Sequence, residues 1–309
     1  MPINIFDLDN PAARAGYARW RDAKLAAMPI TAEAVTVDVR DPRALSVTER
    51  AALGARLTSA NMAIYASNNR DEDKAIPMAL ARQFGLTHLD GNWLADEDKI
   101  SRITVDTDGA HPRYIPYTAA AMNWHTDGYY NDLTRPICGM LLHCVRAARD
   151  GGDNSLIDHE LAYIHMREHS VDFIRAMMAA DAMTIPARDD DDGVARAEVA
   201  GPVFSRLRQS GRLHMRYTAR SRSIAWKNDA VTGAAVAWLQ QFFAAPDAPK
   251  IGARLTPGMG LLCANVLHNR SAFEDDPSMP RLLYRARYLD EINTAVFAQP
   301  LRRHECPAL

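Results

Sequence analysis

Trp124-His125-Thr126-Asp127-Gly128 is the stretch on which the reading of the fold turns. In an extended chain, side chains two positions apart point to the same face. His125 and Asp127 therefore present an imidazole and a carboxylate together, Thr126 points the other way, and Gly128 lets the backbone turn. Taken alone, this is half of a metal site. A lone H-x-D is common and more often has a surface or capping role.

Far downstream, Asn265-Val266-Leu267-His268-Asn269-Arg270 ends an apolar, strand-like run. A single histidine at such a place is ordinarily structural. With His125 and Asp127, however, His268 completes a two-histidine, one-carboxylate set. Such a set leaves coordination positions open, as non-haem Fe(II) oxygenases require. A closed zinc site would take four protein ligands. The next strand-like segment, Arg281-Leu282-Leu283-Tyr284-Arg285-Ala286-Arg287, puts its three arginines on one face and Leu282, Tyr284 and Ala286 on the other. The plain alternative is an arginine face turned to water. A guanidinium can also hold a carboxylate in a two-pronged pair.

These motifs, with the turn Gly151-Gly152-Asp153 between them, resemble the TauD/TfdA (taurine dioxygenase-like) superfamily of Fe(II)/2-oxoglutarate-dependent dioxygenases, which broadly includes γ-butyrobetaine hydroxylase relatives. The resemblance covers about residues 115–160 and 255–290. It implies a mainly β fold with α: a double-stranded β-helix (jelly roll, cupin-like) core with flanking helices. It also implies that His125, Asp127 and His268 are the catalytic metal ligands, with Fe(II) as cofactor, 2-oxoglutarate as cosubstrate and O2 as oxidant. Arg281 falls where the family's arginine pairs with the distal carboxylate of 2-oxoglutarate. Arg285 matches a second basic position, near the cosubstrate or substrate carboxylate. Asn154 stands where the family commonly has threonine, and is either a hydrogen-bond donor to the cosubstrate or a turn residue.

The activity implied is hydroxylation of an unactivated C–H bond in a small, charged substrate, amino-acid-, betaine- or carboxylate-like, with release of succinate and CO2. Desaturation or sulfonate/ether-type cleavage are other outcomes of the same chemistry. A non-catalytic binding protein on this fold is the reading from a different class, and the retention of His125, Asp127, His268 and Arg281 together argues against it.

Substrate contacts are expected from Tyr129, Tyr130 and Asn131, which follow the motif directly and offer rings, hydroxyls and an amide. Ordinary aromatic packing is the alternative. Arg216 and Arg220 alternate along a polar strand face and either meet a substrate anion or face water. The acidic run at 188–193 fits no calcium loop and reads as a surface loop or lid. His304-Glu305-Cys306 reads as a solvated tail.

The rest of the sequence sets limits. The chain has 309 residues, 48% hydrophobic and 24% charged, with a net charge of -2. That balance disfavours a nucleic-acid or membrane partner, both of which favour a basic face. No run approaches the ~20 apolar residues of a membrane span. No basic-then-apolar leader is visible, and Cys138, Cys144, Cys263 and Cys306 match no zinc spacing. A reducing cytoplasm is the expected location. A homo-oligomer is left open.

We read residues 1–309 as one dioxygenase domain, with an α/β part over about 1–115 and the jelly roll over about 116–309. Helices are expected over 11–27, from a capping box at Ser46–Glu49, over 72–84, over 159–181 with a break at His169-Ser170, and after Asn228-Asp229. Segments 203–207 and 212–218 read as a hairpin. Segments 251–256, 261–267 and 281–289 read as a β-meander.

Overall fold

A computed structural model describes residues 4–91, 98–105, 115–190 and 193–293, with the backbone only at 189, 190 and 193–195. Ten strands build the two principal sheets: β1 (Thr36–Asp38), β2 (Met62–Ala66), β3 (Ser101–Ile103), β4 (Met122–His125), β5 (Gly139–Arg146), β6 (Asn154–Ile157), β7 (Ile251–Ala253), β8 (Met259–Cys263), β9 (Leu267–Arg270) and β10 (Leu282–Tyr288). The larger sheet runs β1-β2-β8-β5-β10-β3 and the smaller runs β7-β6-β9-β4. All ladders in both are antiparallel except β1 with β2.

The expected β-meander is not formed. Successive strands β7, β8, β9 and β10 fall alternately in the smaller and the larger sheet, and none pairs with its neighbour in sequence. That alternation is the double-stranded β-helix. It also explains why β5 reads as an unbroken apolar run, since a strand covered on both faces has no polar side to alternate with. Met140, Leu142 and Cys144 pack toward Leu156, Ile251 and Ala253 of the smaller sheet. Leu141 and Val145 pack with Leu53 and Leu57 of one helix and Leu80 and Ala81 of another.

The helices are set by their caps. Asn10 caps α1 (Pro11–Ala27), with Pro11 in its first turn. Ser46 and Glu49 form the reciprocal capping box of α2 (Val47–Ala60). Helix α3 (Ala75–Arg82) is shorter than the 72–84 expected. Ser170 ends α4 (His159–His169) and caps α5 (Val171–Met177), so the break lies where the sequence put it. Asp229 caps α6 (Ala230–Ala244). The hairpin forms as Phe204–Arg206 against Leu213–Met215, but the chain then leaves it. Thr218 bridges His125 instead.

Among the described residues, no helix is long and apolar enough to cross a membrane. The 188–193 segment lies partly, and the 304–306 tail wholly, outside the described residues.

Candidate metal centre and cosubstrate cavity

Strands β4 and β9 pair with His125 directly opposite His268. Their ring centroids are 4.2 Å apart and their planes cross at 52°. Asp127 follows β4, and one ligand atom from each of the three residues lies within 4.8 Å of the others. Local hydrogen bonds aim the motif. The Thr126 side chain turns away, and its hydroxyl accepts from the Tyr217 N–H at 3.1 Å. The Thr126 N–H donates to the Tyr217 carbonyl at 3.0 Å. Gly128 has φ of 66°, and a Cβ there would lie 2.3 Å from Ile137 Cγ1, so the turn needs glycine.

Each imidazole is oriented by a backbone carbonyl. His125 Nδ1 lies 2.8 Å from the Asn123 oxygen and His268 Nδ1 lies 3.0 Å from the Val266 oxygen. A carbonyl only accepts, so Nδ1 carries the proton and Nε2 keeps its lone pair. This is how metal-binding histidines are held. Burial lowers the His125 pKa to about 3, with His268 adding to the effect, and burial also lowers that of His268. Both rings are therefore neutral. Burial pushes the Asp127 carboxyl up, but the Arg285 and Arg287 guanidiniums outweigh it and hold the carboxyl below its ordinary range.

Asp127 Oδ1 accepts from Arg285 Nη1 at 3.3 Å, whereas Oδ2 is buried without a hydrogen-bond partner. An ionised oxygen left so is costly. A divalent cation among these three residues supplies the missing charge, so the donor set fits a metal.

A narrow cavity of about 40 Å³ adjoins the triad, between the sheets. His125, His268 and Asn154 line it from the smaller sheet; Ile103, Leu142, Leu283 and Arg285 line it from the larger, with Arg281 beside them. The Arg281 guanidinium is buried, stacks 5.0 Å from the Phe273 ring centroid, and has no acceptor among the described residues. Burial lowers its pKa, although it remains a cation. The Asn154 amide is 3.5 Å from the Ala253 carbonyl, a marginal bond. The predicted set His125, Asp127, His268, Arg281, Arg285 and Asn154 is thus brought to one place. A larger cavity of about 890 Å³ runs from Asp127, Gly128 and Tyr129 to the Arg206–Arg212 turn, but His125, His268 and Arg281 do not line it.

The expected substrate residues separate. Tyr129 and Tyr130 stand edge to face at 5.1 Å, just past the metal motif. Arg220 is exposed and donates to the Tyr129 hydroxyl at 2.9 Å. Arg216 lines the larger cavity together with Tyr129 and Asn131, but its donors are taken. Its Nε, Nη1 and Nη2 donate to the carbonyls of Tyr129, Met183 and Val199 at 2.8, 3.0 and 2.8 Å. It is a buried clasp: its own N–H still bonds the Val203 carbonyl across the hairpin at 2.8 Å, and its side chain is turned inward onto backbone carbonyls. The Asn131 amide is likewise taken, by Asp90 and the Arg135 carbonyl.

Sequence reasoning missed three residues. Asn265 accepts from the Asp127 N–H at 2.8 Å and donates to the carbonyls of Asp127 and Ile137, both at 2.9 Å. Arg287 donates to the Tyr130 hydroxyl at 2.7 Å and to Asp90 at 2.9 Å. Asp90 is the buried acceptor that fixes it. An asparagine just before the second histidine was the available signal for Asn265; nothing local marks Asp90.

A jelly roll that sets two neutral imidazoles and a carboxylate opposite buried arginines has the architecture of non-haem iron oxygenases that use a 2-oxo acid. The model of the family described as "Taurine catabolism dioxygenase TauD, TfdA family" matches residues 22–287, and the chain belongs to that family. It is similar to a uridine-5'-phosphate dioxygenase of Amycolatopsis sp, 33% identical over 58% of this chain and 64% of that protein. It is also similar to one of Streptomyces sp, 31% identical over 62% of this chain and 69% of that protein. The chain thus spans less than two thirds of the length of the first of these relatives. Among solved structures it resembles asparagine oxygenase in complex with Fe(II), 2S,3S-3-hydroxyasparagine and succinate. The TM-score is 0.59 at 14% identity, covering 84% of this chain and 85% of that one. At that identity the likeness is one of fold.

Proposed function

We propose that this chain is an Fe(II)- and 2-oxoglutarate-dependent oxygenase of a small anionic substrate, and that the substrate is a nucleoside 5'-monophosphate of the uridine 5'-phosphate kind. The observation that carries the reaction class is the partnerless Asp127 Oδ2 beside two imidazoles with free Nε2 atoms. The names of the two relatives support reading the substrate as a nucleotide in place of the amino-acid, betaine or carboxylate classes expected from the sequence. Hydroxylation of a C–H bond is the outcome we assign. We also read residues 1–309 as one catalytic domain, because β1 and β2 complete the sheet that carries Arg285.

Bound at the triad, Fe(II) with 2-oxoglutarate and O2 supplies the oxidising power, and the cosubstrate leaves as succinate and CO2. The residues do the rest. His125 and His268 offer Nε2, with their orientation fixed through Nδ1. Asp127 offers Oδ2, while Arg285 restrains its other oxygen. Arg281 pairs with the distal carboxylate of 2-oxoglutarate, a charge-assisted contact for which it has no competing acceptor among the described residues. Ile103, Leu142 and Leu283 keep that end of the cavity dry.

Anaerobic addition of Fe(II) and 2-oxoglutarate tests this reading. A weak visible charge-transfer band should form, and O2 with uridine 5'-phosphate should then stimulate succinate release. Absence of both band and succinate overturns it. Arg281→Ala should raise the 2-oxoglutarate KM about 10- to 100-fold, the range for one hydrogen-bonded charge, with a smaller change in kcat. An unchanged KM would remove Arg281 from the cosubstrate site.

A further inference from the structure

The wall formed by Tyr129 and Tyr130 is held by three arginines. Arg216 holds the Tyr129 carbonyl, Arg220 the Tyr129 hydroxyl, and Arg287 the Tyr130 hydroxyl. Arg287 is itself fixed by Asp90. Over this wall lies a fourth cation that the oxygenase reading does not use. The Arg196 guanidinium carbon is 5.6 Å from the Tyr130 ring centroid. One of its nitrogens, Nη2, donates to the Pro186 carbonyl at 2.8 Å. Its Nε is buried and has no hydrogen-bond partner. No carboxylate among the described residues forms an ion pair with Arg196.

Arg196 also has cationic neighbours. Burial lowers its pKa, and Arg188 and Arg220 lower it further, against the opposing pull of Tyr129 and Tyr130. Arginines are gathered in this way where an anion is to be received: a guanidinium with an unmet donor is a poor neighbour for another cation, and a phosphate meets both needs. The chemistry also selects among anions. A monocarboxylate brings two oxygens and one charge, whereas a phosphate monoester brings three oxygens and up to two charges. The latter brings more acceptors and more charge to a site with more than one guanidinium.

We propose that Arg196 and Arg220 form the seat for the phosphate group of the substrate, at the Tyr129–Tyr130 wall that follows the metal motif. This rests on the nucleotide reading of the proposed function and assigns it residues. Arg196 contributes its unmet Nε, and Arg220 swings from the Tyr129 hydroxyl or shares itself with it. Tyr130, gripped by Arg287, gives Arg196 a flat face to lie on.

Anaerobic titration calorimetry on the whole protein, loaded with Fe(II) and 2-oxoglutarate, tests the seat without turnover. Uridine 5'-phosphate should bind at least about 10-fold more tightly than uridine. Arg196→Gln should weaken the nucleotide about 10- to 100-fold and leave the weak uridine affinity within about 2-fold. Arg220→Gln should act in the same direction. Inorganic phosphate should compete with the nucleotide in the wild type and fail to do so in Arg196→Gln. The charge-transfer band of the loaded variants reports that they are folded, and Arg196→Lys, which keeps the charge without the planar fork, should fall between. Equal affinity for nucleotide and nucleoside, or nucleotide binding untouched in Arg196→Gln, overturns the proposal. Loss of the band in the wild type instead sinks the oxygenase reading, so the two failures are told apart.

Discussion

His268→Ala should abolish the Fe(II)/2-oxoglutarate band and lower succinate formation by at least about 1,000-fold. The reason lies in the ladder. His268 sits opposite His125 across β9 and β4, so its loss removes one of the three ligands proposed for the metal. Neither adjacent residue in β9 replaces it, because Leu267 and Asn269 point to the other face of a strand. Asp127 Oδ2 would remain buried, with its compensating ion held by two groups instead of three. Metal-induced stabilisation gives a readout apart from activity. A ligand that binds only the folded state raises the melting temperature with its concentration. Co(II) or Mn(II) should do so for the wild type and should lose most of that effect in the variant. The metal-free variant itself should melt within about 1–3 kcal/mol of the wild type, as for other buried truncations of modest size. A variant that kept both the band and the metal-induced shift would show that the three residues are not the metal site.

How much of this was legible beforehand depends on the range of the interaction. The triad was legible because strand periodicity alone places His125 and Asp127 together, and because a family resemblance paired them with His268. The helix starts at Ser46 with Glu49 and at Asp229 were legible because caps are local and satisfy nearby N–H groups. The alternation of β7 to β10 between two sheets was not. A meander and a jelly roll have the same apolar runs and turns, and differ only in which distant strand each run pairs with. Arg216 shows the same limit. Its sequence neighbours suggest a polar strand face, yet its partners are carbonyls at 129, 183 and 199. Charge in a sequence says that a counterpart is needed; it does not say whether the counterpart is a substrate or the protein's own backbone.

Asn265 carries the second large effect, and it shows how the sheet crossing serves the metal centre. The chain passes from β8 in one sheet to β9 in the other through Asn265, whose φ is 51°. Asparagine tolerates that left-handed conformation better than most residues. Its side chain, 2% exposed, then grips the Asp127 N–H and carbonyl and the Ile137 carbonyl. One amide thus ties the turn before His268 to the backbone of Asp127. Asn265→Ala would strand the buried Asp127 N–H and carbonyl, leave the Ile137 carbonyl to His214 Nε2 alone and strain the turn, destabilising the metal-free protein by about 3 kcal/mol. It should weaken metal binding about 10- to 100-fold, the usual scale for groups that hold ligands in place. Asn265→Gly separates the causes. Glycine relieves the strain of the positive φ but restores none of the bonds. If the clasp matters, Asn265→Gly recovers about 1 kcal/mol of stability and none of the metal affinity, as read by the metal-induced melting shift. If glycine restores the affinity as well, Asn265 serves only to shape the turn. Retention of wild-type affinity by Asn265→Ala would mean that the ladder between β4 and β9 aligns Asp127 without help.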